Sequence, residues 1–172
     1  MRLYHVSEKS DIIQFSPRIP TRDDLDKSKG LVWALTEDCL PNFLTPRDCP
    51  RVTYHASKNT TQDDIIKFFS SNSRHCVAIE HAWYEQMTKT NLYLYEFDTS
   101  TFYLQDPQAG YYVSEQIQQP ISVTKIDNLF NELFKRGVEV RILNNLRTLA
   151  EEVENSTLNW SLCRMANAMP KG

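Results

Sequence analysis

The chain has 172 residues, 41% of them apolar and 24% charged, with a net charge of −3. That composition excludes a disordered or low-complexity chain, and the eight basic and eight acidic side chains of the first 56 residues leave no electrostatic footprint for duplex nucleic acid. No apolar run approaches the roughly 18 residues of a membrane span, the opening MRLYHVSE lacks a signal-peptide core, and Cys39, Cys49, Cys76 and Cys163 show no CxxC spacing, so reduced thiols and a cytoplasmic location are expected.

The length suits one domain over residues 1–172. Leu3, Tyr4 and Val6 are strand formers, and period-two alternation puts His5 and Ser7 on one face. Glu8, Ser10 or Asp11 can start a short helical turn through Ile12, Ile13 and Phe15 before the Pro17-Arg18 corner. Residues 19–30 are polar and aperiodic, which reads as an exposed connector, with a lid as the alternative. Residues 31–35 (LVWAL) read as a buried strand, and Thr36 with Glu37 and Asp38 opens a short helix to about Leu44. The stiff corner PRDCPR (46–51) leads into a strand over 51–56.

Thr60 or Thr61 caps a helix with Ile65, Phe68 and Phe69 on its apolar stripe. Strands follow at 75–79, 92–97, 102–104, 111–114 and 121–126, with a short helix at 81–87. Asp127 is expected to cap a helix ended by Gly137, then a strand at 138–143 and a helix carrying Leu146, Leu149, Ala150 and Val153. Thr157 is expected to cap a last helix with Leu158, Leu162, Met165 and Ala166. The expected fold class is α+β, a mixed or antiparallel sheet core with flanking helices.

Walker, GxGxxG and GxSxG motifs are absent, the four histidines lack metal-ligand spacing, and no metal site is expected. A lone Cys49 reads as a small buried hydrophobe before it reads as a nucleophile. Polar groups at strand ends and corners remain: His5, Ser7, Arg18, Trp33, Arg47, Arg51, Tyr112 and Glu115. His5 is either a hydrogen-bonded histidine near a sheet edge or a catalytic one. The arginines of the Pro-Arg corners either satisfy loop carbonyls or bind an anion, since guanidinium forks suit phosphate and carboxylate.

At HVS (5–7), FSPR (15–18), VWAL (32–35) and PNFLTPRDCPRV (41–52) the chain resembles a small family of uncharacterised bacterial proteins, and the likeness continues to NWSLCRM (159–165). The layout also resembles the ADP-ribosyltransferase-like fold, with YHVS (4–7), VWALT (32–36) and GYYVSEQIQQPISV (110–123) in the places of its motif strands. This second likeness implies binding of NAD or another phosphorylated nucleotide and transfer of an ADP-ribosyl or phosphoryl group. His5 would orient the ribose beside Ser7, Trp33 and Tyr112 would pack on nicotinamide, and Arg18, Arg47 or Arg51 would neutralise the pyrophosphate. Glu115 is the nearest candidate for the catalytic carboxylate, the alternative being that the acidic position of that fold falls on Tyr111 or Tyr112. Two non-enzymatic readings stand beside it: the same cleft holds an anionic small molecule without turnover, or the C-terminal helices dock a protein partner through Trp160 and Met165.

Overall fold

Apolar residues alternating with His5 and Ser7 form the inner strand β1 (Leu3–Ser7). In this computed structural model, which describes residues 1–20, 25–70 and 72–171, the fold is α+β, with two sheets, four α-helices and three short 3-10 helices among the described residues. The chain divides into two compact units, Met1–Leu40 with Leu92–Ile126, and Pro41–Asn91 with Asp127–Gly172. No helix among the described residues is long and apolar enough to cross a membrane.

The first unit holds a six-stranded sheet. With β2 (Val32–Thr36), β5 (Leu92–Phe97), β6 (Tyr103–Asp106), β7 (Tyr111–Ser114) and β8 (Ser122–Ile126), its order is β6-β7-β2-β1-β5-β8. All its pairings are antiparallel, so β1 and β7 end where β2 begins. Leu3, Val32, Ala34, Tyr95 and Phe97 form a core on one face, with Ile12, Phe15, Phe102 and Tyr112 packed on it. The DPQAG turn joins β6 to β7 through Gly110, whose φ of 70° is the left-handed conformation that favours glycine.

The second unit holds a four-stranded sheet, β10-β3-β4-β9, built from β3 (Arg51–His55), β4 (His75–Glu80), β9 (Glu139–Leu143) and β10 (Asn159–Cys163). Only β4–β9 is parallel. One face carries Val52, Tyr54, Cys76 and Ala78 against Phe68 and Phe69 of the α1 (Gln62–Phe68) region and Leu149, Ala150 and Val153 of α4 (Arg147–Glu154). Thr61 caps α1 by accepting from Asp64 N. The short helices α2 (Tyr84–Lys89) and α3 (Leu129–Lys135) lie in the same unit.

Several expectations are corrected. The turn expected over residues 10–15 does not form, because Tyr95 Oη takes Ile12 N and Gln118 pairs with the backbone of Phe15. The helix after Thr36 is a 3-10 helix, Glu37–Phe43, with Pro41 inside it. Asn128, not Asp127, caps α3 by accepting from Asn131 N at 2.9 Å. The final helix is instead strand β10, whose backbone pairs with the open edge of β3. Leu158 is 2% exposed and Trp160, Leu162 and Met165 pack on the same core, so this apolar side is interior and not the docking face of the protein-partner reading. Part of the connector expected over residues 19–30, residues 21–24, lies outside the described residues.

Candidate functional site

β1 delivers His5 and Ser7 to the core-bearing face of the six-stranded sheet. Leu3, His5 and Ser7 stand opposite Phe97, Tyr95 and Tyr93, and directly paired residues share a face. Ala34 lies opposite Tyr112, so Tyr112 joins this face, two strand spacings or roughly 10 Å from β1. His5, Ser7, Tyr93 and Tyr112 are among its partly exposed positions, arranged around buried Tyr95 and Ala34.

The His5 ring is held from two sides. Its Nδ1 lies 2.9 Å from Trp33 O, and Phe15 leans over it with ring centroids 4.8 Å apart. A carbonyl only accepts, so Nδ1 carries the proton and Nε2 of the neutral ring is the acceptor nitrogen. Tyr95 Oη anchors the segment above by donating to Lys9 O at 2.6 Å and accepting from Ile12 N at 3.2 Å.

Trp33 does not share this face. It pairs with Val113, and its ring meets Tyr111 edge-on at 5.8 Å, on the side opposite His5 and Tyr112. The expected pairing of Trp33 with Tyr112 around one ring is therefore corrected: strand alternation separates them, and Trp33 meets His5 through its carbonyl.

Arg18 and Glu115 both come to the end of the sheet where β1 finishes. Arg18 exchanges two backbone hydrogen bonds with Leu31, and its side chain is exposed. Glu115 follows the last residue of β7 and is exposed; it accepts from Lys29 Nζ at 3.0 Å and from Tyr103 Oη at 3.2 Å. The bond from Lys29 holds its carboxyl below the usual range.

Arg47 and Arg51 belong to the second unit. Arg47 is exposed, and its carbonyl accepts from Arg164 Nε at 3.2 Å. Arg51 is 3% exposed; its Nε donates to Asn42 O at 2.7 Å and its Nη1 to Cys49 O at 3.1 Å. Loop-carbonyl satisfaction, one of the two readings open for Arg51, is thus what its side chain does. Cys49 is fully buried, and burial pushes its thiol up to about 12, which leaves no thiolate for nucleophilic attack near neutrality. Among the described residues, no group of three or more His, Cys, Asp or Glu is placed to hold a metal ion.

A family model described as "Family of unknown function (DUF6886)" matches residues 4–168. The chain belongs to that family. No curated protein and no solved structure matches it. In this DUF6886 member the match runs from β1 through β10 and takes in every residue named above as a candidate. Phe15, Lys29, Tyr93 and Tyr95 were not singled out by sequence reasoning. The Tyr93–Tyr95 spacing in LYLYEF carried the signal, since residues two apart in a strand share a face.

Proposed function

We propose that this chain binds NAD or another phosphorylated nucleotide over the His5 face of the six-stranded sheet and transfers its ADP-ribosyl or phosphoryl group. The observation that carries the reading is the adjacency of the three motif strands, β1, β2 and β7, with His5 and Tyr112 on one face. His5 Nε2 accepts a ribose hydroxyl, oriented by the Nδ1–Trp33 bond. Tyr112 and Tyr93 offer ring faces, and Arg18 offers a guanidinium to the phosphates. Glu115 stabilises the oxocarbenium-like charge that develops when the bond between nicotinamide and ribose breaks. The activity is placed in the cytoplasm, on the scattered cysteines.

A second reading has its own support. Glu115 is exposed and engaged by Lys29 and Tyr103, an arrangement suited to closing a sheet end. On that reading the same face holds the nucleotide without turning it over.

Thermal unfolding with millimolar NAD tests the binding, because a ligand selective for the folded state raises the melting temperature. His5→Ala should remove the rise while keeping the native circular dichroism spectrum. Nicotinamide release then separates ADP-ribosyl transfer from binding alone: loss on Glu115→Gln supports that transfer, whereas NAD binding without release excludes it. No thermal shift with NAD, ADP-ribose or a nucleoside phosphate ends both.

A further inference from the structure

The segment that follows β10 is held to the second unit by side chains that grip its backbone. After a one-turn 3-10 helix, Met165–Asn167, the chain is extended at Ala168, with φ −72° and ψ 151°. Glu80 accepts from Met169 N at 3.0 and 3.1 Å. Arg147 donates from Nε to Met169 O at 3.2 Å, and from Nη2 to Met165 O at 2.8 Å and Ala168 O at 3.3 Å. Asn145 Nδ2 donates to Pro170 O at 2.8 Å and to Met169 O at 3.4 Å, and Lys171 Nζ reaches Glu151 Oε1 at 2.6 Å. Main-chain capture of this kind is how a protein holds a separate extended peptide. Met169, Pro170 and Lys171 are exposed, so little apolar burial adds to the polar grip.

The hinge of this segment is strained. Arg164 is the only non-glycine residue among the described residues with a left-handed backbone, φ 55° and ψ 27°. That conformation costs free energy in any residue with a Cβ. It turns the chain back onto its own unit, where Arg164 Nε donates to Arg47 O at 3.2 Å and Asn167 Nδ2 to Asp48 O at 2.8 Å. With ordinary extended angles at Arg164 the chain runs on in the direction of β10, away from that groove. A second copy opened in the same way presents an identical groove, in which the bonds of the segment are made again. The balance then rests on the hinge, strained when closed and relaxed when exchanged, against the entropy of association.

We propose that Glu80, Asn145, Arg147 and Glu151 form an extended-peptide site whose occupant in a dimer is the segment 165–171 of a second copy, exchanged reciprocally about Arg164. Because the two chains trade equal segments, the product closes as a two-fold dimer. The inference does not rest on the His5 reading.

Sedimentation velocity on the full chain, equilibrated from micromolar to millimolar concentration, tests this. The wild type should show a reversible monomer–dimer equilibrium. Arg164→Gly accepts the closed hinge without strain and should weaken dimerisation about 30-fold, because two hinges relax in each dimer. Arg164→Pro holds φ at about −65° and forbids the closed hinge, so it should be dimeric throughout. Its Met169 amide should stay protected from hydrogen exchange, since the groove of the other copy accepts it. A wild-type chain that remains monomeric to millimolar concentration, or a dimer constant unchanged in folded Arg164→Gly protein, would overturn the exchange. So would a folded Arg164→Pro monomer, or an Arg164→Pro dimer whose Met169 amide exchanges freely.

Discussion

His55 and His75 stand directly opposite each other on β3 and β4, with ring centroids 5.1 Å apart and planes inclined at 34°. Asn42 Oδ1 lies 2.9 Å from His75 Nε2, and Asn159 Nδ2 lies 3.4 Å from His55 Nε2. Burial, and then the charge of His55, push the His75 pKa down to about 3. The unfolded chain takes up this proton near 6.5 and the folded chain does not, so stability is full above about 6.5 and falls as pH drops toward 3. We expect a loss of about 1 kcal/mol per pH unit below pH 6 from this group. Urea unfolding between pH 7 and 5, above most carboxylate titration, should show that slope in the wild type and a flatter one in His75→Gln. Parallel slopes in the two proteins would refute the assignment.

Glu80 fastens the C-terminal segment. It is 2% exposed and accepts from Leu146 N at 3.3 Å and from Met169 N at 3.0 and 3.1 Å, while Arg147 Nη2 donates to Met165 O at 2.8 Å. Glu80→Ala leaves two backbone donors without their acceptor and should cost about 2–4 kcal/mol. Glu80→Gln keeps a carbonyl oxygen and should cost about half as much. Equilibrium unfolding measures both; in the Ala variant amide exchange at Met169 should also quicken well before global unfolding. Equal costs for Ala and Gln would show that the acceptor oxygen is not what matters.

The strands were legible where a local pattern decides them. His5 and Ser7 share a face in the structure as alternation requires, and Asp63 and Asp64 follow the Thr61 cap at the start of α1. β10 was not legible: Leu158, Leu162 and Met165 fall at helical spacing, while Trp160 and Leu162 alternate with Ser161 and Cys163 in the same eight residues. The choice between the two patterns was made by the edge of β3, roughly a hundred residues earlier, with Trp160 opposite Tyr54. Non-local pairing also separated Trp33 from Tyr112. Each strand's alternation is visible in its letters, but which parity of β2 meets which parity of β7 depends on register. The depth of Arg51 was hidden for a different reason, because an arginine opening a strand of apolar neighbours usually reaches water.

Tyr95 is a second anchor, in the first unit. It is fully buried, and its hydroxyl joins Lys9 O and Ile12 N, which holds the segment carrying Phe15 over the His5 ring. Tyr95→Phe should cost about 1–3 kcal/mol, because both backbone groups lose their partner without a change in packing volume. Amide exchange at Ile12 should accelerate more than exchange in β5. Any NAD-dependent thermal shift should fall in this variant although Tyr95 itself is buried, since the position of Phe15 depends on it. A stable variant with unchanged Ile12 protection would show that the segment is held by apolar packing alone.

Two glycines with nearly equal backbone angles separate strain from crowding. Gly110 and Gly137 have φ of 70° and 69°, so an alanine at either carries the same left-handed penalty, about 1 kcal/mol. A Cβ at Gly137 meets nothing within 4 Å, whereas one at Gly110 would stand 2.3 Å from Cys39 Sγ, a buried atom at the start of the 3-10 helix. Gly137→Ala should therefore lower stability by about 1 kcal/mol, and Gly110→Ala by roughly 2–4 kcal/mol, since the crowding adds to the strain. Cys39→Ala alone should be mildly destabilising, yet combined with Gly110→Ala it should recover part of the loss by vacating the space the new methyl needs. A double-mutant cycle on the melting free energies measures that coupling. Strict additivity would mean that the β6–β7 turn relaxes away from Cys39, and the close approach would then have no energetic consequence.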